Sequence, residues 1–175
     1  MTTLAEIREK TAYSSTAKLS LKQAARGFAH NICENYPVAL TLTLKQHTNI
    51  KNANGVYVSK LKAEDCSKVA KRFTQKLNRA VFGKRGAEQH GKGLKYLIVV
   101  EGQRSHKNLH LHLAIGALPK HVALNQLQAL VCEAKKQVRQ IDEQYAIKAA
   151  DSGWIDYITK EVSKHDTDNV LWELA

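Results

Sequence analysis

Two histidines, His110 and His112, stand on either side of a leucine in a segment that alternates apolar and polar residues. On a β-strand, residues i and i+2 point to the same face and lie roughly 7 Å apart. Two imidazoles on one face can bind a single metal ion, because histidine is a common nitrogen ligand of metals. Histidines on the solvent side of a strand are also often ordinary polar residues. The segment therefore predicts either a metal-binding face or a plain polar face.

A carboxylate, Glu101, ends the apolar segment that precedes these histidines. If the two segments form an antiparallel hairpin, the end of the first strand lies opposite the start of the second, which brings Glu101 close to His110. Two histidines and one carboxylate would leave open positions on a metal ion, as catalytic sites require. His106, in the predicted turn, can replace or supplement Glu101. The alternative for Glu101 is a charged residue at a strand end.

Tyr157, Lys160 and Lys164 follow one another at the helical spacing i, i+3 and i+7. On a helix they share a polar flank, next to the flank of Ile155 and Ile158 that we expect to face the core. A phenol with ammonium groups one and two turns away is suited to nucleophilic attack, because the cations favour the phenolate and can bind a phosphodiester. The alternative is a solvated helix face with a half-buried tyrosine.

The elements that position these residues follow from the periodicity of the apolar residues. Strands are predicted at 38–45, 94–101, 109–115 and 145–149, and helices at 63–82, 122–141 and 152–164. The order strand, helix, strand, strand, helix, strand is that of the split βαβ or ferredoxin-like arrangement. We therefore predict an α+β fold in which helices pack on an antiparallel sheet.

The domain organisation predicted from the sequence is a single domain over residues 1–175, with a core at about 38–164. Residues 1–35 form an N-terminal helical extension with a helix at 20–35. Asn52 to Gly55 is typical of a turn, and Val56 to Val58 is predicted to add a short edge strand.

Glycines and basic residues share the stretch Gly83 to Gly93, which we predict to be a flexible loop. Its side chains Lys84, Arg85 and Lys92 can contact a DNA backbone, or they can belong to an ordinary solvated loop. The basic residues of the helix before it are more typical of a solvated helix face.

The charge balance favours a polyanionic partner. The chain has 175 residues, with 27 Lys and Arg against 16 Asp and Glu, which gives a formal net charge of +11. Each phosphate that a lysine or arginine neutralises releases counterions, so such a protein binds nucleic acid well. No apolar run approaches the ~20 residues that span a bilayer, and the three cysteines show no paired spacing. These features favour a cytoplasmic protein without membrane association.

The motifs occur in an order that resembles one family, the HUH endonucleases of the Rep type: Glu101, then His110-Leu-His112, then Tyr157-Ile-Thr-Lys160. In that family the histidine motif is His-hydrophobic-His, and the segment 40–43 (LTLT) is similar to its first motif. The resemblance covers about residues 38–164. It implies a nickase and strand transferase for single-stranded DNA that initiates rolling-circle replication of a plasmid, phage or virus.

The resemblance also implies a role for each residue. Glu101, His110 and His112 would hold a divalent metal such as Mg²⁺ or Mn²⁺. Tyr157, assisted by Lys160, would attack the scissile phosphate and leave a 5′-phosphotyrosine link and a free 3′-hydroxyl. The implied substrate is single-stranded DNA, often in an origin hairpin, and a host helicase and polymerase are further implied partners.

Three alternatives remain open at this level. Conjugative relaxases carry the nucleophile ahead of the histidines, where the candidate here is Tyr13, and single-tyrosine transposases share the order seen here. The third alternative is a non-catalytic, basic ferredoxin-like module that binds DNA or RNA. Such modules stack bases on aromatic residues of the sheet, whereas the aromatic content is only 6% and strand 109–115 offers histidines. The chain also has no Walker A motif, so no helicase domain is predicted.

Overall fold

The computed structural model describes residues 23, 27, 37–53, 55–102, 108–151, 153–160 and 169–174. Within these residues, strands and helices alternate as the sequence pattern predicts, with one additional hairpin. The strands are β1 (Val38–Leu44), β2 (His47–Asn52), β3 (Gly55–Lys60), β4 (Lys95–Glu101), β5 (His110–Gly116) and β6 (Ile141–Ala149). The helices are α1 (Ala63–Gln89), α2 (Leu124–Lys136), α3 (Trp154–Ile158) and a 3₁₀ turn (Trp172–Leu174).

Four of the strands form one antiparallel sheet in the order β4-β5-β1-β6. Because β5 lies between β1 and β4, the connection from β1 through α1 to β4 is a split βαβ unit. The predicted α+β fold, with helices packed on an antiparallel sheet, is confirmed.

One face of this sheet carries the main hydrophobic core. Leu40, Leu42 and Leu44 of β1 are almost fully buried at every second position, as expected for a strand with one face against helices. The buried residues of α1, which include Phe73 and Leu77, recur at intervals of three and four and form the apolar stripe that covers the sheet. Helix α2 packs beside α1 on the same face.

The opposite face of the sheet carries a smaller cluster of buried residues. Ala39, Leu97 and Ala114 lie there beneath Trp154 and Ile155 of α3. This cluster fixes α3 against the sheet, so that the face with the polar residues of β1, β4 and β5 is the face on which α3 lies.

Helix α1 is longer than predicted, and the prediction of a flexible loop from Gly83 to Gly93 is therefore wrong for residues 84–89. Gly83 has φ 72° and ψ 162°, a conformation that essentially only glycine adopts, so the helix kinks there and then continues. An ion pair of 3.2 Å between Arg79 Nε and Glu88 Oε1 spans the kink. Glycine thus marks a bend in α1 and not its end.

The boundary between α2 and β6 also differs from the prediction. The helix predicted over 122–141 ends at Lys136, and the strand predicted at 145–149 begins at Ile141. The N–H of Val138 donates to the carbonyl of Lys135 at 3.0 Å, and that of Ile141 to the carbonyl of Val138 at 3.0 Å. These bonds form a turn in which the apolar spacing of three suits a helix equally well, and the pattern could not separate the two.

Strands β2 and β3 form a separate two-stranded sheet, which we call the β2–β3 ribbon. The sequence predicted β3 only as an edge strand at 56–58 and did not predict β2. The side chains of Val56 and Val58 are 64% and 65% exposed. Because neither face of the ribbon is buried, β2 lacks the alternation by which strands are recognised.

Both chain ends lie mostly outside the described residues. Of the helix predicted at 20–35, Gln23 and Gly27 are helical and the others are not described. Helix α3 occupies 154–158 of the helix predicted at 152–164, and residues 161–168 lie outside the described part of the chain.

The segment 169–174 runs along the outer edge of β4. The N–H of Val100 donates to the carbonyl of Asn169 at 2.7 Å, and the N–H of Leu171 donates to the carbonyl of Ile98 at 2.9 Å. Val170 is buried in the smaller cluster. The segment therefore adds a partner for β4 on the side away from β5.

Candidate active site

Three neighbouring strands place the candidate residues on the sheet face that α3 covers. Thr41 of β1 lies opposite His112 of β5, and His110 of β5 lies opposite Glu101 at the end of β4. The pairing of Glu101 with His110 is the one that the hairpin argument predicts. His112 is only 6% exposed, so this face provides a largely dry setting for a polar cluster.

His112 is held by contacts on both of its ring nitrogens. Its Nδ1 lies 3.0 Å from Oγ1 of Thr41, and its Nε2 is in short contact with Oε2 of Glu101. An ionised carboxylate only accepts hydrogen bonds, so Nε2 donates to Glu101 and Nδ1 accepts from the hydroxyl of Thr41. The ring of His110 is stacked nearly parallel on that of His112, with 6.3 Å between centroids.

Glu101 joins β4 to α3 through Lys160. The Nζ of Lys160 lies 2.9 Å from Oε1 of Glu101, and it lies 4.0 Å from the centroid of the Tyr157 ring. One carboxylate therefore contacts an imidazole through one oxygen and an ammonium group through the other. The ammonium group in turn lies over the tyrosine that the sequence marks as the candidate nucleophile.

The electrostatics of the cluster follow from these contacts. Burial by itself would raise the pKa of Glu101, but hydrogen bonds and charges of Lys160 and His112 outweigh it, and the pKa lies below its ordinary value. Burial would lower the pKa of Lys160, but the hydrogen bonds with Glu101 and Tyr157 raise it. Burial lowers the pKa of His112, although Glu101 acts in the opposite direction. At neutral pH the cluster is a carboxylate, an ammonium group and a neutral imidazole.

Helix α3 presents Tyr157 to solvent while its other side is anchored. The indole N–H of Trp154 donates to the carbonyl of Leu113 at 3.2 Å, and Ile155 and Ile158 are buried as predicted. Tyr157 remains 46% exposed. Its ring stacks on Trp154 with 5.4 Å between centroids and meets His112 edge-on at 5.6 Å. A polymeric substrate can therefore reach the phenol of a tyrosine whose ring is fixed.

The structure brings together most of the predicted catalytic and metal-binding residues. Tyr157, Lys160, Glu101 and His112 form one connected cluster, and His110 stacks on its edge. Among the described residues, no group of three or more His, Cys, Asp or Glu side chains is arranged to hold a metal ion. Metal binding by these residues therefore stays a prediction.

The predicted DNA-binding residues are not part of this cluster. Lys84 and Arg85 lie after the kink of α1, and Lys92 lies just before β4. Strand β4 starts beside them at Lys95 and reaches Glu101 six residues later, which at about 3.3 Å per residue is ~20 Å away. Lys164 and the additional histidine of the hairpin turn, residue 106, lie outside the described residues.

The sequence did not single out Thr41 as a partner of His112. The contact joins residues 71 positions apart, and it depends on β1 and β5 being neighbours in register. The available signal was the alternation of β1, which places Thr41 and Thr43 on the face opposite the leucines. Once β5 is known to pair with β1, that alternation puts a hydroxyl beside each histidine.

The pKa shifts predict how stability changes in acid. The folded pKa of Glu101 is below the ordinary value of 4.5, so its contribution to stability is present above that value and is lost as pH falls through the folded pKa. His112 acts in the same direction from 6.5 downwards, because its pKa is also lowered. We expect the free energy of unfolding, from urea titrations, to fall between about pH 5 and pH 3. Glu101→Gln should reduce that fall, and Glu143→Gln, which changes an exposed carboxylate of β6, should not; equal falls in both variants would contradict the assignment.

No helix in the described part of the chain has the length and apolar content needed to cross a bilayer.

The comparison with protein families gives one match. The family model for the replication-associated protein ORF2 matches residues 37–166, which are 130 of the 175 residues. The chain therefore belongs to this family of replication-associated proteins, and the membership associates it with DNA replication. The matched range includes the whole four-stranded sheet together with Tyr157 and Lys160. A search of the curated proteins and a search of the solved structures found no match.

Proposed function

We propose that this chain is a metal-dependent nickase and strand transferase for single-stranded DNA, and that it initiates rolling-circle replication of a plasmid, phage or virus. The observation that carries the proposal is a half-exposed Tyr157 placed against Lys160, which pairs with Glu101, which in turn contacts His112. Family membership supports the link to replication, and this cluster supports the chemistry.

The donor set suits a divalent metal in its chemistry. Glu101, His110 and His112 offer one carboxylate and two imidazoles on neighbouring strand positions, a set that leaves coordination positions open. The hydroxyl of Thr41 both donates and accepts, so it can hold His112 with either nitrogen protonated. Metal-binding histidines are usually oriented by such an outer partner. When bound, Mg²⁺ or Mn²⁺ would polarise the scissile phosphate and offset its charge.

The protein's own residues would supply the nucleophile and a fixed positive charge. The phenolic oxygen of Tyr157, after losing its proton to solvent, attacks the phosphorus. The bond from phosphorus to the 3′ oxygen breaks, and that oxygen takes a proton and leaves as the free 3′-hydroxyl. Lys160 lies beside the reacting oxygen and offsets the charge that develops on the phosphoryl oxygens. The 5′-phosphotyrosine link keeps the phosphodiester energy, so rejoining needs no ATP.

The substrate and partners follow from this chemistry. The exposed aromatic pair Tyr157 and Trp154 suits an unpaired strand, because bases stack on aromatic rings. The substrate would be single-stranded DNA in an origin hairpin, and a host helicase and polymerase would unwind and extend from the free 3′ end. The nucleophile of a relaxase would precede the histidines, whereas the tyrosine that touches His112 here follows them. The single-tyrosine transposases remain the alternative with the same order.

The test is a search for the covalent intermediate. The protein is incubated with a labelled pool of hairpin-bearing single-stranded oligonucleotides, with Mn²⁺ or with EDTA, and run on a denaturing gel. We expect a band of protein joined to labelled DNA with Mn²⁺ and none with EDTA. Binding without cleavage, across a pool that includes the natural origin, would contradict the proposal and leave a non-catalytic binding module.

A further inference from the structure

A groove lies between the β2–β3 ribbon and the turn that joins α2 to β6, and its volume is about 710 Å³. We call it the ribbon groove. The exposed charged residues that line it are Lys45, Lys51, Lys136, Arg139 and Glu143, and Asp142 lies partly buried among them. A further lining lysine, Lys135, is buried, and its Nζ donates to two backbone carbonyls of β6 at 3.0 and 2.6 Å. Four exposed cations against two carboxylates leave the groove with net positive charge.

The ribbon turns one of its two faces toward this groove. The cross-strand pairs His47–Lys60, Asn49–Val58 and Lys51–Val56 alternate with the other pairs and therefore share a face. His47, Asn49 and Lys51 of these pairs line the ribbon groove. The face thus presents an imidazole, an amide and an ammonium group in a row along β2. All three side chains can donate hydrogen bonds to phosphate oxygens.

The groove is chemically unlike the surface around Tyr157. Within the described residues, its lining contains no Phe, Tyr or Trp, whereas single strands bind largely by stacking bases on aromatic side chains. Cationic and amide side chains without aromatics suit the phosphate backbone, which duplex DNA presents on its outside. A two-stranded β-ribbon also fits the major groove of B-DNA, which is ~12 Å wide. The lining therefore favours a duplex over an unpaired strand.

The ribbon groove lies at the same end of the sheet as the candidate active site. Thr43 of β1 lies opposite His110. Two residues later the N–H of Lys45 donates to the carbonyl of Gln140 at 2.8 Å, in the turn that lines the groove. One continuous strand thus leads from the histidines to the groove. A hairpin with its stem in the groove would have its unpaired segment close to Tyr157.

We propose that the ribbon groove binds the phosphate backbone of double-stranded DNA. Resting on the proposed function, it would hold the stem of the hairpin whose unpaired segment Tyr157 cleaves. Binding by the groove does not depend on cleavage, so the two proposals can fail separately.

The test compares two double variants that remove the same charge. Lys51→Gln with Arg139→Gln changes the groove, and Lys95→Gln with Lys120→Gln changes exposed lysines at the opposite end of the sheet, where Lys95 pairs with Gly116. Fluorescence anisotropy, in EDTA so that no cleavage occurs, measures binding of the full chain to a blunt 12-base-pair duplex and to a single strand of equal length. Backbone contacts are independent of sequence, so the natural origin is not needed.

We expect the groove variant to bind the duplex more weakly than wild type does. The slope of log K against log salt concentration should fall by about 2 in magnitude, one for each lost phosphate contact. The single strand should lose little affinity, and the control variant should resemble wild type with both probes. Equal losses in both variants would overturn the proposal, as would a loss confined to the single strand. Circular dichroism melts of both variants would verify that the fold is retained.

Discussion

Tyr157→Phe is expected to abolish the covalent protein–DNA complex, with nicking falling on the order of 10³-fold or more. The substitution removes only the phenolic oxygen that would form the bond to phosphorus. Its ring can keep the stack on Trp154 and the edge contact with His112, so the site should stay assembled. The measurement is the denaturing gel with labelled oligonucleotides and Mn²⁺, with DNA binding measured in parallel and expected to remain.

Tyr145→Phe provides the matched control for this prediction. Tyr145 lies on β6 opposite Leu42, on the sheet face that the long helices cover, and the same atom is removed there. We expect it to retain the covalent band. A band that persists in Tyr157→Phe would show that another tyrosine is the nucleophile, and Tyr145 and Tyr13 would be the next to substitute.

Glu101→Gln is expected to lower the nicking rate by about 100-fold or more, since losing even an outer partner of a metal ligand can cost that much. The amide keeps the shape of the side chain and can still accept a hydrogen bond from His112. It loses the negative charge that pairs with Lys160 and that would bind the metal. The rate should therefore be measured over a range of Mn²⁺ concentrations, and the half-saturating concentration should rise together with the loss of rate.

The control for Glu101→Gln is Glu143→Gln, which neutralises an exposed carboxylate on β6 without touching the cluster. It should keep the wild-type rate and the wild-type dependence on Mn²⁺. If Glu101→Gln also kept both, Glu101 would be a charged strand end that only pairs with Lys160. That is the simpler alternative that the sequence left open.

The parts of the site that lie close together in sequence could be predicted well. The spacing of His110 and His112 requires only that their segment be a strand, and the approach of Glu101 requires only a hairpin. Tyr157 and Lys160 need only one helical turn. Each of these relations depends on local geometry with a known period, so the pattern was sufficient.

The parts that depend on distant contacts could not be predicted in the same way. The contact of Thr41 with His112, and the ion pair of Lys160 with Glu101 across 59 positions, require the order of strands and the face on which α3 lies. Gly83 was interpreted as the start of a loop because glycine often ends helices. Its positive φ instead allows a kink, which the sequence cannot distinguish from an end.

The segment 169–174 has a consequence for self-association. Without it, the outward N–H of Val100 and the outward carbonyl of Ile98 would be left unpaired on a flat, apolar strand. Such an edge is a template on which another copy of the chain could add a strand. By occupying these groups, residues 169–171 act as a guard strand that blocks growth of the sheet past β4, beside the strand that carries Glu101.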